Sequence, residues 1–207
     1  MMIQKPRIKN LESFTFKKAQ NEQIYENLFF SVNPSNNISF SDITFDSCKF
    51  EKIDFKFLKL KNVFFCDCIF EHVDLSNFEF YKVNFTRCRF IDCKMIGTSF
   101  IDSVLTDISI SSSLLRYGNF ANCKVHHFLL EKTDCCQASF HYIHVKDIFF
   151  SQCNLKNTEF LETPLNEVDL SNSTIEGIII DLKSLKGAKV SFEQAASLAQ
   201  ILGITII

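Results

Sequence analysis

Apolar residues recur at every fifth position through most of this chain. From Phe40 to Ile180, all 29 positions spaced five residues apart are apolar, with Cys counted as a small hydrophobic residue. A second series lies two residues before these central positions and holds only small or apolar side chains. The two series define a five-residue unit with two inward positions.

A period of five is incompatible with a continuous helix or a continuous strand. A helix turns about 100° per residue, so the central residues would be distributed around its axis. A straight strand would place successive central residues on opposite faces, because five is odd. The two inward positions of one unit are nevertheless two residues apart, which is strand geometry. The chain must therefore bend once in each unit, and its short extended pieces must stack as a β-solenoid with coils about 4.8 Å apart.

The predicted fold is consequently all-β, with a core filled by the central residues. Phe occurs 24 times and Trp is absent, as expected when one structural slot is filled repeatedly. The aromatic residues predicted to form the core are Phe45, Phe65, Phe85, Phe90, Phe100, Phe120, Phe140 and Phe160.

Both ends of the chain depart from the period. Residues 1–37 are predicted to form an N-terminal cap, built on Leu11, Phe14 and Phe16, and a loop at 31–37 that contains Asn-Pro-Ser-Asn-Asn. Residues 38–182 are predicted to form the solenoid. A cap is needed because the last coil of a solenoid otherwise exposes unpaired strand edges.

Residues 183–207 are predicted to form a capping helix and a short strand that act as a dimerisation module. Ser191 and Gln194 fit a capping box, and Gly203 suits the position after the helix. One helix cannot cover the last coil and also bury its own apolar side and the strand, so two-fold self-association is the expected solution, with a monomeric cap as the alternative. The residues assigned to the contact are Phe192, Ala195, Ala196, Ala199, Leu202, Ile204 and Ile206, and the strand ends with Ile207.

The composition predicts a cytoplasmic protein that does not enter a membrane. No apolar run approaches the roughly 20 residues that span a bilayer, and the basic N-terminus lacks the apolar run of a secretory signal. Nine Cys is an odd number, and without such a signal they are predicted to be reduced thiols.

No arrangement of side chains indicates catalysis. Cys68 and Cys88 fall on the small inward position, where thiols fill a tight slot, and Cys66 points outward, so zinc-ligand spacing is not achieved. The histidines between His126 and His144 occupy different positions in their units and are not expected to converge. The sequence has no Gly-rich phosphate loop and no nucleophile motif. We therefore expect no enzyme activity, no metal and no cofactor.

Several units are similar to the pentapeptide-repeat pattern A(D/N)LXX. They are CKFEK at 48–52, CIFEH at 68–72, VDLSN at 73–77, VNFTR at 83–87 and CNLKN at 153–157. The resemblance covers roughly residues 38–182 and implies a right-handed quadrilateral β-helix with four units in each coil. Such a body would contain about seven coils and be about 35 Å long.

The C-terminal segment resembles that of Qnr-type quinolone-resistance proteins. Their run G-x-K-x-x-x-x-Q-A…LGI is matched by Gly187, Lys189, Gln194, Ala195 and residues 202–204. The resemblance implies a homodimer that binds a bacterial type II topoisomerase, DNA gyrase or topoisomerase IV, in place of DNA. It also implies protection of that enzyme from quinolones or gyrase toxins, with no direct contact to nucleic acid. Two rods joined end to end would match about 20 base pairs in length.

The charge distribution predicts where such a partner would bind. Residues 38–130 carry equal numbers of acidic and basic residues, whereas residues 131–181 carry nine acidic residues against three Lys. The alternative function is a non-catalytic interaction scaffold, contacted by a different protein through the mixed-charge N-terminal coils. The acidic residues assigned to the partner-binding face are Glu131, Asp134, Asp147, Glu159, Glu162, Glu167, Asp169, Glu176 and Asp181.

Overall fold

The computed structural model describes residues 3–205, which wind into a β-helix of about eight turns. Three 3-10 turns lie at Phe16–Lys18, Phe55–Phe57 and Gln200–Leu202. The helices are α1 (Leu182–Leu185) and α2 (Phe192–Ala199). The strands are β1 (Glu12–Phe14), β2 (Ile24–Glu26), β3 (Leu28–Phe30), β4 (Ile38–Asp46), β5 (Lys49–Glu51), β6 (Leu58–Cys66), β7 (Ile69–Glu71), β8 (Asn84–Thr86), β9 (Arg89–Ile91), β10 (Val104–Ser111), β11 (Lys124–Glu131), β12 (His144–Val145), β13 (Ile148–Ser151), β14 (Glu159–Phe160) and β15 (Ile179–Ile180).

Each strand pairs in parallel with strands one coil away. In the pairing of β4 with β6, Phe45 lies opposite Phe65, and in the pairing of β6 with β8, Phe65 lies opposite Phe85. The offset of twenty residues equals four five-residue units, so each coil is a quadrilateral. The predicted all-β solenoid with a C-terminal helix is therefore confirmed.

The central residues of the units stack in columns through the interior. The rings of Phe65 and Phe85 are 4.9 Å apart and inclined by 7°, and those of Phe70 and Phe90 are 4.6 Å apart. Neighbouring columns meet edge to face, as Phe45 does with Phe50. Each predicted aromatic core residue is at most 1% exposed. Stacked and edge-to-face contacts add to the stabilisation from burial, which explains the heavy use of one aromatic residue.

The second inward position explains the buried cysteines. The Cys68 thiol donates to the carbonyl oxygen of Phe45, which lies in the preceding coil, at 3.3 Å. The Thr98 hydroxyl makes the equivalent bond to Leu75 at 2.8 Å. The slot therefore accepts a small side chain that is either apolar or carries one donor for a buried carbonyl group. All nine cysteines are free, and Cys66 alone among them is not fully buried.

The bends between units are made by residues in the left-handed backbone conformation. Most lie two positions after a central residue, and examples are Ser47 (φ 54°), Asp67 (φ 51°) and Arg87 (φ 50°). The amide of Ser47 donates to the carbonyl of Cys66 in the next coil at 2.9 Å, so the hydrogen-bond ladder continues through the corner. Left-handed residues other than Gly cost free energy, and here the stacked ladder compensates for that cost.

The coils extend beyond the predicted N-terminal boundary at residue 38. Strand β1 already pairs with β3, and Phe14 lies opposite Phe30. Phe16 is buried and its ring lies 4.7 Å from that of Phe30. Residues 31–37 contain neither strand nor helix. The first coils are built from less regular units, which is why the five-residue period did not reveal them.

At the C-terminal end, a helix closes the last coil in place of a five-residue unit. Helix α1 replaces one unit, and the amide of Leu170 still pairs with the carbonyl of Lys189 at 2.8 Å. Helix α2 then covers the coil and starts with the predicted capping box of Ser191 and Gln194. Ile204 and Thr205 do not form the predicted strand, and Ile206 and Ile207 lie outside the described residues. No helix in the described part of the chain has the length and apolarity needed to cross a membrane.

Candidate interaction surfaces

The quadrilateral has four outward faces, which we number along the chain. Face 1 holds the units centred on Phe40 and every twentieth residue after it, and faces 2, 3 and 4 follow with Phe45, Phe50 and Phe55. In each unit, the residues before and after the central one point outward, and a corner residue follows. Outward residues twenty positions apart therefore become neighbours on the same face.

The nine acidic residues predicted to form one face encircle the rod instead. A five-residue step moves each unit to the next face, so acidity in a stretch of sequence becomes a belt in space. By face, they are Glu159, Glu162 and Asp181 on face 1, Asp147 and Glu167 on face 2, Glu131 and Asp169 on face 3, and Asp134 and Glu176 on face 4.

Most of this belt is paired within the protein. Lys183 Nζ lies 3.1 Å from Glu162 Oε2, and Lys189 Nζ lies 2.8 Å from Glu167 Oε2. Asp181 caps α1 by accepting a hydrogen bond from the amide of Ser184 at 2.8 Å. Further partners are His141 for Glu159, His127 for Asp147 and Arg116 for Asp134. The belt as a whole is thus a poor electrostatic surface for a basic partner.

The largest excess of acidic residues lies on face 1 when the whole rod is considered, and face 2 follows it. Between residues 22 and 181, with each face counted together with its corner, face 1 carries seven acidic residues against three Lys or Arg, face 2 six against three, face 3 five against four and face 4 four against four. On face 1 the acidic residues are Glu22, Asp42, Glu79, Asp102, Glu159, Glu162 and Asp181, and the basic residues are Lys59, Lys61 and Lys82. Four of these acidic residues precede residue 131, where the predicted acidic segment begins. Counting charges over long stretches of sequence therefore did not identify them.

A column in which aspartates alternate with Arg or His follows the corner after face 2, and we call it the corner ladder: Asp67, Arg87, Asp107, His127 and Asp147. Arg87 donates from Nε and Nη2 to the two carboxylate oxygens of Asp67, both at 2.7 Å. His127 Nδ1 lies 3.1 Å from Asp107 Oδ1, and its Nε2 lies 3.3 Å from Asp147 Oδ2. The individual histidines gave no signal in the sequence, but the spacing of twenty between opposite charges could have revealed the ladder.

Next to Asp67 of the corner ladder lie two further side chains of types that bind metal ions, but the cluster is unsuited to a metal ion. Ligand atoms of Asp46, Cys66 and Asp67 lie within 4.8 Å of one another. However, Arg87 Nη2 is 3.1 Å from Cys66 Sγ, so a cation already occupies the cluster. Burial, followed by the charge of Asp67, raises the pKa of Cys66 to about 11. A protonated thiol beside a guanidinium group is unsuited to bind a metal ion.

The predicted dimerisation residues divide between the two sides of α2. Gln194 and Leu198 face the rod, and Leu198, which the sequence pattern missed, is the buried residue of the helix. Phe192 is 87% exposed, and Ile201 and Ile204 are also exposed. Three further predicted residues are alanines. Ala195 is exposed, and Ala196 and Ala199 are half-buried. The Leu202 side chain and Ile206 lie outside the described part of the structure.

Comparisons with known proteins agree with the repeat geometry. Residues 63–140 match the family model described as a pentapeptide repeat region. No curated protein matches the chain.

Among solved structures, a trypsin-treated form of QnrB1, described as a plasmid-mediated fluoroquinolone resistance protein, is 22% identical. That match covers 88% of this chain and 99% of the other, with a TM-score of 0.46. HetL, a pentapeptide repeat protein involved in heterocyst differentiation regulation in the cyanobacterium Nostoc, is 14% identical. It covers 83% of this chain and 89% of the other, with a TM-score of 0.42.

The matched region contains the same coils as the rest of the rod. The pairing offset of twenty residues, the buried central column and the small inward slot all continue on both sides of residues 63–140. Residues 63–140 are therefore similar to a pentapeptide-repeat region, and the coils on both sides of them have the same geometry.

Proposed function

We propose that this protein is a non-catalytic binding protein that presents face 1 to the basic surface of a protein partner. The observation that carries the proposal is the excess of seven acidic over three basic residues on face 1, four of the acidic ones outside the paired belt, on a rod whose interior is filled by side chains. A filled interior offers no pocket for chemistry, so the outer surface is the functional part. Two open grooves lie on this surface, one lined by residues that include Lys59 and Glu79 and the other by residues that include Tyr142 and Glu162.

The resemblance of the C-terminal segment to Qnr-type proteins indicates a bacterial type II topoisomerase, DNA gyrase or topoisomerase IV, as the partner. Face 1 would contact the DNA-binding surface of that enzyme in place of DNA. An acidic face with stacked, rigid coils is suited to a basic surface that normally holds DNA, because opposite potentials steer the encounter and fix its orientation. Protection from quinolones or gyrase toxins would follow from competition with DNA.

The C-terminal module supports assembly into a homodimer. Phe192, Ile201 and Ile204 expose apolar surface at the end of the rod. Contact between two such ends would bury this surface and join two rods along one axis. Phe192→Asp is expected to give a monomer in sedimentation with an unchanged β-sheet spectrum, and Ser197→Asp, on the same helix, is the control. A Phe192→Asp variant that sediments as the wild type does would exclude this end as the contact.

The topoisomerase hypothesis is tested with two variants of equal charge change. Glu79→Lys with Asp102→Lys changes face 1, and Asp92→Lys with Glu131→Lys changes face 3. We expect the face 1 variant to bind gyrase at least about tenfold more weakly, corresponding to about 1.4 kcal/mol, and to compete less well with DNA. The face 3 variant should bind as the wild type does, and wild-type binding should weaken steeply with salt.

Two outcomes contradict parts of the proposal in different ways. Equal loss of binding in both variants would show that face 1 is not the contact surface. A folded wild-type protein that binds neither topoisomerase would reject that partner and leave the alternative, a scaffold for a different protein.

A further inference from the structure

The first described residues form a strap that lies across the coils and not within one. The backbone amide of Gln4 donates to Asp107 Oδ1 at 3.2 Å, and that of Arg7 donates to Asp67 Oδ1 at 3.0 Å. The two acceptors are two coils apart, a distance of about 10 Å, and three residues of extended chain span about the same length. The strap, residues 3–8, is thus an extended peptide bound lengthwise along the rod.

The acceptors for the strap are held in place by the rod itself. The Asp67 carboxylate is fixed by the Arg87 guanidinium group, and the Asp107 carboxylate by His127. Both aspartates are only 5% exposed. A buried carboxylate oxygen needs hydrogen-bond donors, and the strap supplies one main-chain donor to each. The corner ladder therefore binds the main chain of an extended segment. It accepts one hydrogen bond for every three residues of the segment and every two coils of the rod.

The side chains of the strap show which kind of segment fits. Ile3, Pro6 and Ile8 are half-buried, whereas Lys5 and Arg7 are exposed. Within residues 3–205, neither of these two basic side chains forms an ion pair. Apolar side chains of the strap thus contact the rod, and its basic side chains project next to the acidic residues of the corner. Attraction between these opposite net charges adds to binding without specific ion pairs.

The groove that holds the strap is wider than the strap. A cavity of about 480 Å³ remains between Ile3, Lys5 and face 3. Its floor includes Ile91, Leu129 and Phe149, and Phe149 is 38% exposed. The floor of this groove can therefore contact apolar side chains of a bound segment.

The register of acceptors also continues beyond the strap. Asp147 lies two coils past Asp107, in line with Asp67 and Asp107, and accepts from no described strap residue. His127 Nε2 lies 3.3 Å from Asp147 Oδ2. The corner ladder therefore offers one acceptor more than the described strap uses.

We propose that the corner ladder and the adjoining groove on face 3 form a binding site for an extended basic peptide segment of a partner protein, and that the chain's own strap is an internal competitor for this site. The partner segment has apolar residues facing the rod and Lys or Arg between them. The site uses the corner after face 2 and face 3, so it is independent of the topoisomerase contact on face 1.

The test uses the full chain with the strap released. Gln4→Pro with Arg7→Pro removes the two amide donors, because Pro has no N–H group. The probe is a fluorescent peptide with the sequence of residues 3–10, IQKPRIKN, followed by anisotropy. We expect the variant to bind the probe at least about tenfold more tightly than the wild type, whose tethered strap competes at an effective concentration of about millimolar.

Two controls separate the main-chain contacts from other effects. Lys5→Pro removes an amide that donates to no described residue, so this variant should bind the probe as weakly as the wild type. A probe that carries Pro at the positions of Gln4 and Arg7 should not bind the released variant.

Equal binding of the probe by the wild type and the released variant, or no binding by either, would overturn the proposal and leave the strap as a structural closure. A wild-type dimer that is lost only in the released variant would identify a second copy of the chain as the source of the segment. That result would likewise overturn the assignment to a foreign partner.

Discussion

Gln194 Nε2 on α2 donates a hydrogen bond of 2.9 Å to the carbonyl oxygen of Leu170 in the last coil. The same nitrogen donates to the carbonyl of Ser173 at 2.8 Å, and Oε1 accepts from the amide of Ser191 at 2.8 Å. One side chain thus satisfies two carbonyl groups at the open edge of the solenoid and also completes the capping box. The helix and the coil are stabilised together.

Gln194→Ala is therefore expected to destabilise the C-terminal end. The loss of these bonds should lower the free energy of unfolding by about 1–3 kcal/mol, because two buried carbonyl groups lose their donors. Denaturant unfolding and hydrogen exchange of the last coil would measure this change. Gln200→Ala is the matched control, since Gln200 is exposed and its side chain forms no hydrogen bond within the described residues. Equal effects of the two changes would disprove the capping role.

Phe90→Ala is expected to destabilise the whole rod. Phe90 is 1% exposed and stacks on Phe70, so its removal should cost about 3–5 kcal/mol. Each coil supports its neighbours, and the thermal transition of the entire β-helix should shift. Phe64→Ala changes an outward residue that is 47% exposed and should cost much less. A similar shift for both variants would contradict the assignment of inward and outward positions.

Arg87→Met is expected to destabilise the protein by isolating a buried charge. The side chain of Asp67 is 6% exposed, and removing one partner of a buried ion pair costs about 3–5 kcal/mol. Burial alone would raise the pKa of Asp67, but the hydrogen bonds from Arg87 and from the amide of Arg7 hold that pKa below its ordinary value. The double variant Asp67→Asn with Arg87→Met should regain most of the loss. A double variant as unstable as Arg87→Met would show that the damage comes from packing instead of charge.

Acidification should weaken the C-terminal end through Asp181. The hydrogen bond from the Ser184 hydroxyl, with smaller contributions from the backbone amides of α1 and Glu162, lowers the pKa of Asp181 to about 2. A depressed folded-state pKa stabilises the protein above the ordinary value and loses that effect as pH falls from about 4 to about 2. The melting temperature should therefore fall over this window, and less so in Asp181→Asn. An identical pH profile for both proteins would contradict this role of Asp181.

The division between inside and outside could be predicted from the sequence. Phe85 and Cys88 are buried as their places in the five-residue unit require, because the direction of a side chain in an extended unit depends on the local backbone alone. The capping box of Ser191 and Gln194 is equally local and was found where predicted. The predicted strand at Ile204 had no such local constraint, and that residue follows the helix without pairing.

The fold class, the core and the position of the capping helix follow from the sequence, because each depends on a short local pattern. The contacts between outward residues, in contrast, depend on how the coils stack. Asp107 and His127 become neighbours through the length of one coil, and that length scattered the predicted acidic face around the rod. Gln4 reaches Asp107 across 103 residues of sequence. No local pattern encodes such a contact, because it depends on where the finished rod presents a buried carboxylate.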